Sequence, residues 1–385
     1  MIINMNVGGT ERALLNMVAE MPKNKYDITI FMLEEYGGFL ESIPVHVHKE
    51  YLNGYQNIKE IVHKPLRKVI KGFLKKGHLI KVFNFLIILF LSKITKNNSS
   101  LFQYILKGYP SLTNEYDVAI AYAGPMDFIS YFVVHKIKAK KKIQWIHFDV
   151  KKIGFNINFA TKIYKMFDQI YTVSSEGKNQ LIKKLPKIKN KTDVFLNVIS
   201  PKEIIKMANN GAGFTDQFDG LRILTVGRLS KEKGQDLVIP VIAKLIRSGF
   251  KVRWYCIGEG NAREEYEKLI KINKVEQNFI LLGATPNPYT FMKQCDIYVQ
   301  PSRHEGYCIT LAEARVFNKP IICTNFTGAQ EQIMDGLTGR IINFDETEML
   351  VALKDLIKDR QLRNRFKTNL SSMANDGKEQ LKYYI

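Results

Sequence analysis

Only four cysteines occur in 385 residues, Cys256, Cys295, Cys308 and Cys323, and no two form a CxxC pair. Small disulfide-stapled domains are dense in cysteine, so that class is excluded. All four lie in apolar surroundings of the second half and are expected to be buried thiols of a reducing compartment. No His/Cys cluster accompanies them at the spacing of a structural metal site. Long apolar runs are missing as well. The strongest candidate, Val82–Leu91, is ten residues long, about half of the roughly 20 that a bilayer-spanning helix needs. No charged segment leads into an apolar stretch and cleavage site at the start, so no signal peptide is expected. Solenoid-length repeats and low-complexity tails are absent from the sequence.

Acidic residues are missing from one long interval. Between Glu60 and Glu115 there is none, while Lys64, Arg67, Lys68, Lys71, Lys75, Lys76, Lys81, Lys93, Lys96 and Lys107 fall inside. The net charge of +20 is carried unevenly: residues 1–200 hold 30 Lys and Arg against 15 Asp and Glu, and the remainder 27 against 22. Cations flanking an apolar helix suit docking of region 61–114 on an anionic membrane surface. An ordinary core helix beside a solvated basic loop would leave the same trace, and that reading stays open. Nucleic acid is not an expected partner, because no DNA- or RNA-binding motif is present.

Hydrophobic content of 45% and alternating strand-like and helix-like segments indicate a soluble globular α/β protein. Ile2-Ile3, the loop around Gly8-Gly9 and a helical pattern through Val18 open a nucleotide-fold unit with a short first strand. Further strands are expected at Tyr26–Leu33, Val118–Tyr122, Ile143–Ile146, Gln169–Val173 and Val194–Phe195. The pattern dissolves from Ser200 to Gly220, which marks the boundary between domains 1–200 and 201–385. A second alternation follows: strand Arg222–Val226, helix Asp236–Arg247, strand Val252–Ile257, helix Ala262–Ile272, strand Phe279–Leu282, strand Asp296–Gln300, helix Thr310–Phe317, strand Pro320–Thr324, a short helix near Gln330 and strand Arg340–Ile342. Two doubly wound, Rossmann-like domains facing each other across a cleft are the expected fold.

Glu305 falls in the loop leaving the Asp296–Gln300 strand, where such folds bind ligands. Glu313 falls inside the helix that follows. Between them Gly306 and the next backbone N–H groups open a helix N-terminus, which favours anions. Gly227–Gly234 leaves the first strand of the second domain carrying Arg228 and Lys233. Arg can grip a diphosphate with two N–H groups and Lys as a point charge. Carboxylates for hydroxyls on either side of a phosphate-binding helix end suit a nucleotide-sugar. The plainer reading makes Glu305 a helix cap, Glu313 a solvated face residue and the basic turn ordinary surface.

With these elements the chain resembles the retaining GT-B glycosyltransferases of family GT4, along nearly its whole length. The resemblance is carried by Gly227–Leu229 with Lys233-Gly234, Gly258–Gly260, Leu282-Gly283, the Glu305–Glu313 pair, Thr327–Glu331, Asp335-Gly336 and Gly339. In the first half it is carried by Gly8–Glu11 and Trp145–His147. It implies that Glu305 binds hydroxyls of the transferred sugar together with backbone N–H groups from Gly306, Tyr307, Cys308 and Ile309. Glu313 would bind the ribose, and Arg228 and Lys233 the diphosphate. Gly8 and Gly9 would admit the donor phosphates and sugar to the backbone, and Leu282 and Gly283 would line the base pocket. His147 would contact the reacting sugar or acceptor, with Asp149 beside it, whereas Asn197 and Ser174 read as turn and cap residues. No Asp-x-Asp follows a strand, so no metal and no other cofactor is expected. The subgroup resembled assembles bacterial surface polysaccharides on a lipid carrier. A UDP-sugar donor, a lipid-linked saccharide acceptor and a cytoplasmic place at the inner membrane face are therefore implied. A nucleotide-sugar epimerase or hydrolase, or a non-catalytic sugar-binding relative, remains the alternative.

Overall fold

The computed structural model describes residues 1–56, 58–59, 70, 79–124, 126–148, 150 and 155–372. Lys64, Arg67, Lys68, Lys71, Lys75, Lys76 and Asp149, named above, lie outside the described residues, as does the chain from 373 onward. Contacts divide the chain into two units: residues 1–5 with 23–195, and residues 6–22 with 196–385. The division differs from the expected 1–200 and 201–385 in two respects: the boundary falls after residue 195, and residues 6–22 leave the first unit. The helix Gly9–Glu20 groups with the second unit.

In the first unit β1 (Thr29–Met32) pairs in parallel with β2 (His48–Tyr51). A four-stranded parallel sheet is ordered β3 (Glu115–Gly124), β4 (Lys138–Ile146), β5 (Gln169–Thr172) and β6 (Thr192–Val194). The first residues link the two sheets. Ile2 N–H donates to Phe31 O at 3.0 Å, and Tyr122 N–H donates to Met1 O at 3.0 Å. The short first strand is thus reduced to a single bridge, Ile2 with Met32. β3 and β4 run longer than their apolar cores because the ladder continues into exposed polar residues, where Lys140 meets Asp117 at 2.7 Å. β2 was not expected, since its sequence, His48–Tyr51, is polar and half exposed.

The second unit holds one six-stranded parallel sheet, ordered β12-β11-β10-β7-β8-β9. Its strands are β7 (Leu221–Val226), β8 (Val252–Ile257), β9 (Phe279–Gly283), β10 (Ile297–Gln300), β11 (Ile321–Thr324) and β12 (Arg340–Ile342). β10 and β11 are buried along their full length, as strands covered by helices on both faces must be. Trp254, Ile297, Val299 and Val238 sit in the core without solvent exposure. The strand order reverses between β7 and β10, and a parallel α/β sheet opens a ligand crevice at such a reversal.

One expected helix is corrected. Near Gln330 the chain forms successive turns, with Ala329 N–H donating to Phe326 O and Gln332 N–H to Ala329 O. Gly328 takes a left-handed φ of 81° there, and the Gln332 side chain is drawn inward onto Tyr307 O. Two helices not expected, Glu346–Lys358 and Arg360–Ser372, close the described chain. The first is capped by Asp345, which accepts from Thr347 and Glu348 N–H at 2.8 and 2.9 Å. The fold class is the expected one, α/β with parallel sheets in both units.

Candidate active site

The loops leaving β7 and β10 meet because those strands are neighbours in the sheet and point the same way. The β7 loop turns sharply at Gly234, whose φ is 70°; a side chain there would strike Pro301 O of the β10 loop. This close approach delivers Lys233 to Glu305, with Nζ 2.6 Å from Oε1 and 2.7 Å from Oε2. The Glu305 side chain is 8% exposed and that of Lys233 22%. Burial alone would lower the affinity of Lys233 for its proton, but Glu305 outweighs it and holds the ammonium charged. Arg228, exposed in the same loop, lies within electrostatic reach of Lys233 and of Glu11.

Glu305 is fixed from behind as well. Ser302 Oγ donates to Glu305 Oε1 at 2.7 Å and accepts from Gln300 Nε2 at 2.9 Å. Gln300 Oε1 in turn accepts from Tyr298 OH at 2.8 Å and from Thr310 Oγ1 at 3.2 Å. Tyr298, Gln300 and Ser302 are buried, so the chain of hydrogen bonds is shielded from competing water. A second tie joins the two loops. Arg303 grips Asp236 through Nη1 at 2.8 Å and Nη2 at 2.5 Å, donates to Lys231 O, and stacks over Phe344 at 4.0 Å.

The turn after Glu305 ends in a helix of two turns, Ile309–Arg315. Cys308 enters it in the left-handed region at φ 65°. Gln332 donates to the carbonyls of Tyr307 and Cys308, so the planar peptides aim the N–H groups of Cys308 and Ile309 the opposite way. Burial, then the charge of Glu305, pushes the Cys308 thiol well up, so it is neither thiolate nor nucleophile. All four cysteines are buried and free.

Glu313 is not the solvated face residue of the plainer reading: it is 2% exposed. Tyr289 OH donates to its Oε1 at 2.7 Å, and Arg12 Nε stands 3.9 Å away. Burial raises its proton affinity, while Arg12, Tyr289 and Asn16 pull it back. Arg12 also donates to Pro286 O at 2.6 Å and lies over the Tyr289 ring at 5.4 Å. Arg12, Asn16 and Tyr289 are functional candidates that the sequence reading missed. The available signal was the spacing of Arg12 and Asn16, one turn apart in a helix whose residues Arg12–Val18 are all buried.

Gly8 caps the helix Gly9–Glu20, and a side chain at Gly9 would touch Ile309 Cγ2 at 3.4 Å. The two helix starts are therefore adjacent. Glu11 folds back over Gly8; burial, against its own backbone N–H and Arg228, pushes its carboxyl up to about 6. A side chain at Gly258 would strike Gly227 O, and one at Gly260 would strike Leu229 O. Those glycines let the β8 loop lie directly against the Arg228 loop. At the end of β9, Leu282 is 42% exposed and Gly283 takes φ 82°.

In the first unit His147 follows β4 and is buried against Trp145 and Tyr122, with centroids 6.2 and 4.5 Å away. Burial, opposed only in part by a hydrogen bond to the Tyr122 backbone, depresses its imidazole to about 3. The ring is neutral at physiological pH, and its Nε2 is buried without a hydrogen-bond partner. Ser174 is a helix cap, accepting from Gly177 N–H at 3.1 Å. Among the described residues no three His, Cys, Asp or Glu side chains converge as a metal site.

Residues 217–373 match the family described as Glycosyl transferases group 1. The N-acetylgalactosamine-N,N'-diacetylbacillosaminyl-diphospho-undecaprenol 4-alpha-N-acetylgalactosaminyltransferase of Campylobacter jejuni is 29% identical over 214 residues, 55% of this chain and 57% of that protein. The capsular polysaccharide biosynthesis glycosyltransferase CapM of Staphylococcus aureus is 28% identical over 149 residues, 38% of this chain and 39% of that protein. The chain thus spans less than two thirds of the length of these relatives. The crystal structure of Anabaena Alr3699/HepE in complex with UDP-glucose superposes with a TM-score of 0.71 at 16% identity, covering 99% of this chain and 97% of that one. Residues 217–373 are accordingly similar to the glycosyl transferases group 1 family, in a chain with the GT-B fold.

Proposed function

We propose that the protein is a retaining glycosyltransferase that moves a hexose from a nucleotide-diphospho-sugar, UDP-linked, to a lipid-linked saccharide acceptor in surface polysaccharide synthesis. The observation that carries this is the placement of Lys233 against Glu305 at the ends of β7 and β10, with Arg228 in the same loop. Arg228 and Lys233 would neutralise the diphosphate and stabilise the charge that develops on it as the glycosidic bond breaks. Glu305, held by Ser302, would then accept hydrogen bonds from sugar hydroxyls, with N–H groups after Gly306 completing the anion site. Glu313 would meet the ribose and the Leu282-Gly283 segment the base. His147, neutral and with a free ring nitrogen, would hydrogen-bond a hydroxyl without adding charge.

In the retaining course the acceptor attacks the face that the leaving group departs, and the leaving phosphate takes the proton. No protein nucleophile is required, in keeping with a Cys308 held as thiol. Fixed cations would replace a metal ion at the diphosphate. The relatives support the acceptor: one carries diphospho-undecaprenol in its name and another capsular polysaccharide. A cytoplasmic place at the inner membrane face goes with such an acceptor.

Release of UDP from UDP-hexoses, with and without a polyprenyl-diphosphate oligosaccharide, tests the reading. Acceptor-dependent release, unchanged by chelator, is expected. Glu305→Gln keeps the shape and removes the charge that grips Lys233, and should lower turnover on the order of 10²–10³-fold. Release without acceptor would mean a hydrolase, and undiminished turnover in Glu305→Gln would remove Glu305 from the site.

A further inference from the structure

We propose that the outer face of the helix Leu79–Thr95 is a docking surface for an anionic lipid bilayer. Phe83, Leu86, Ile87, Phe90, Leu91 and Ile94 are 65, 41, 43, 65, 46 and 63% exposed. At 3.6 residues per turn they form one stripe, about 140° wide. Single exposed apolar residues need no explanation, but a continuous stripe of six large ones marks an interaction surface. The opposite side of the helix is anchored. Val82 and Phe85 are buried, Phe85 lies 6.2 Å from the Tyr104 ring, and Ser92 Oγ donates to Asn98 Oδ1 at 3.0 Å. Asn158 Nδ2 donates to Thr95 O at 3.0 Å, which fixes the helix end. The stripe is therefore presented outward by a held helix.

Charge selects the occupant. Lys93 borders the stripe and is exposed, Lys96 follows the helix, and the sequence carries no acidic residue between Glu60 and Glu115. Asp127, near the helix end, is turned onto Asn98 and Asn156. A bilayer interface with anionic headgroups answers both features at once, apolar side chains entering the acyl boundary and lysines meeting the headgroups. Two-fold pairing with a second copy would instead bring like-charged lysines together. Among the described residues no helix is long and apolar enough to cross a membrane, so this helix would lie in the plane of the interface. The proposal is independent of the transfer reading, because binding is read without donor or acceptor.

The test is co-sedimentation of the full chain with vesicles of phosphatidylcholine alone and with 30% phosphatidylglycerol, a chosen composition. Binding to the anionic vesicles, weakened by salt, is expected. Phe83→Ser/Phe90→Ser should weaken it on the order of tenfold, and Ile272→Ser, exposed in the second unit, should not. A Phe90→Cys variant carrying an environment-sensitive dye guards against misfolding; the four native cysteines are buried, so labelling is selective. Its emission should shift to the blue on anionic vesicles. Equal binding by Phe83→Ser/Phe90→Ser, an unshifted dye, or variants that alter only self-association would overturn the proposal.

Discussion

Arg12 and Glu313 pose an energetic problem that each other's charge helps to solve. Both are buried, and the carboxylate accepts a hydrogen bond from the Tyr289 hydroxyl and has the Arg12 guanidinium as its ion-pair partner. Removing one member of a buried pair costs about 3–5 kcal/mol, because the survivor is left charged without compensation. Arg12→Met should therefore destabilise the protein by roughly 3 kcal/mol in urea unfolding. Adding Glu313→Gln should recover most of the loss. The pH dependence has a definite sign. A carboxyl whose folded affinity for the proton is raised leaves the folded state holding the proton that the unfolded state has released. Stability then falls as pH rises above the ordinary carboxylate range, and the Arg12→Met deficit should be larger at pH 8 than at pH 5. An equal deficit at both values would mean that Glu313 does not depend on Arg12. The meeting of Lys233 with Glu305 was legible in the sequence because both fall in loops leaving strands of one sheet. Arg12 was not, because its partner lies some three hundred residues away and its helix reads as an ordinary amphipathic one.

At the level of elements, the loops after β7 and β10 act as one piece because Arg303 pins the first to the second. Its two N–H donors meet both Asp236 oxygens, and its guanidinium plane lies on Phe344. Lys keeps the charge but offers neither the fork nor the flat face. Arg303→Lys should therefore lose donor kcat/KM nearly as far as Arg303→Ala, on the order of tenfold, with the global unfolding midpoint little changed. Wild-type kinetics in Arg303→Lys would show that the clamp does not position the site. The largely buried strands β7, β8, β10 and β11 were readable as apolar runs. β2 was not, because polar, half-exposed residues pair there through backbone alone. The expected helix near Gln330 failed for a local reason: a left-handed glycine and an inward glutamine turn the chain where composition suggested a helix.

For the whole molecule, strand alternation revealed two α/β units, but not that the first helix belongs with the second. That grouping brings Gly8, Gly9, Glu11 and Arg12 beside the loops of the sheet, so residues from both ends of the sequence share one surface. On the proposed function, fixed cations of this surface hold a nucleoside diphosphate. Calorimetric titration of the full chain with UDP, and with GDP for comparison, tests it most directly when repeated on Arg228→Ala and Lys233→Met. Saturable binding of UDP is expected, weakened at least tenfold, about 1.4 kcal/mol, by each substitution. Binding of neither nucleotide, or affinity indifferent to both substitutions, would contradict it.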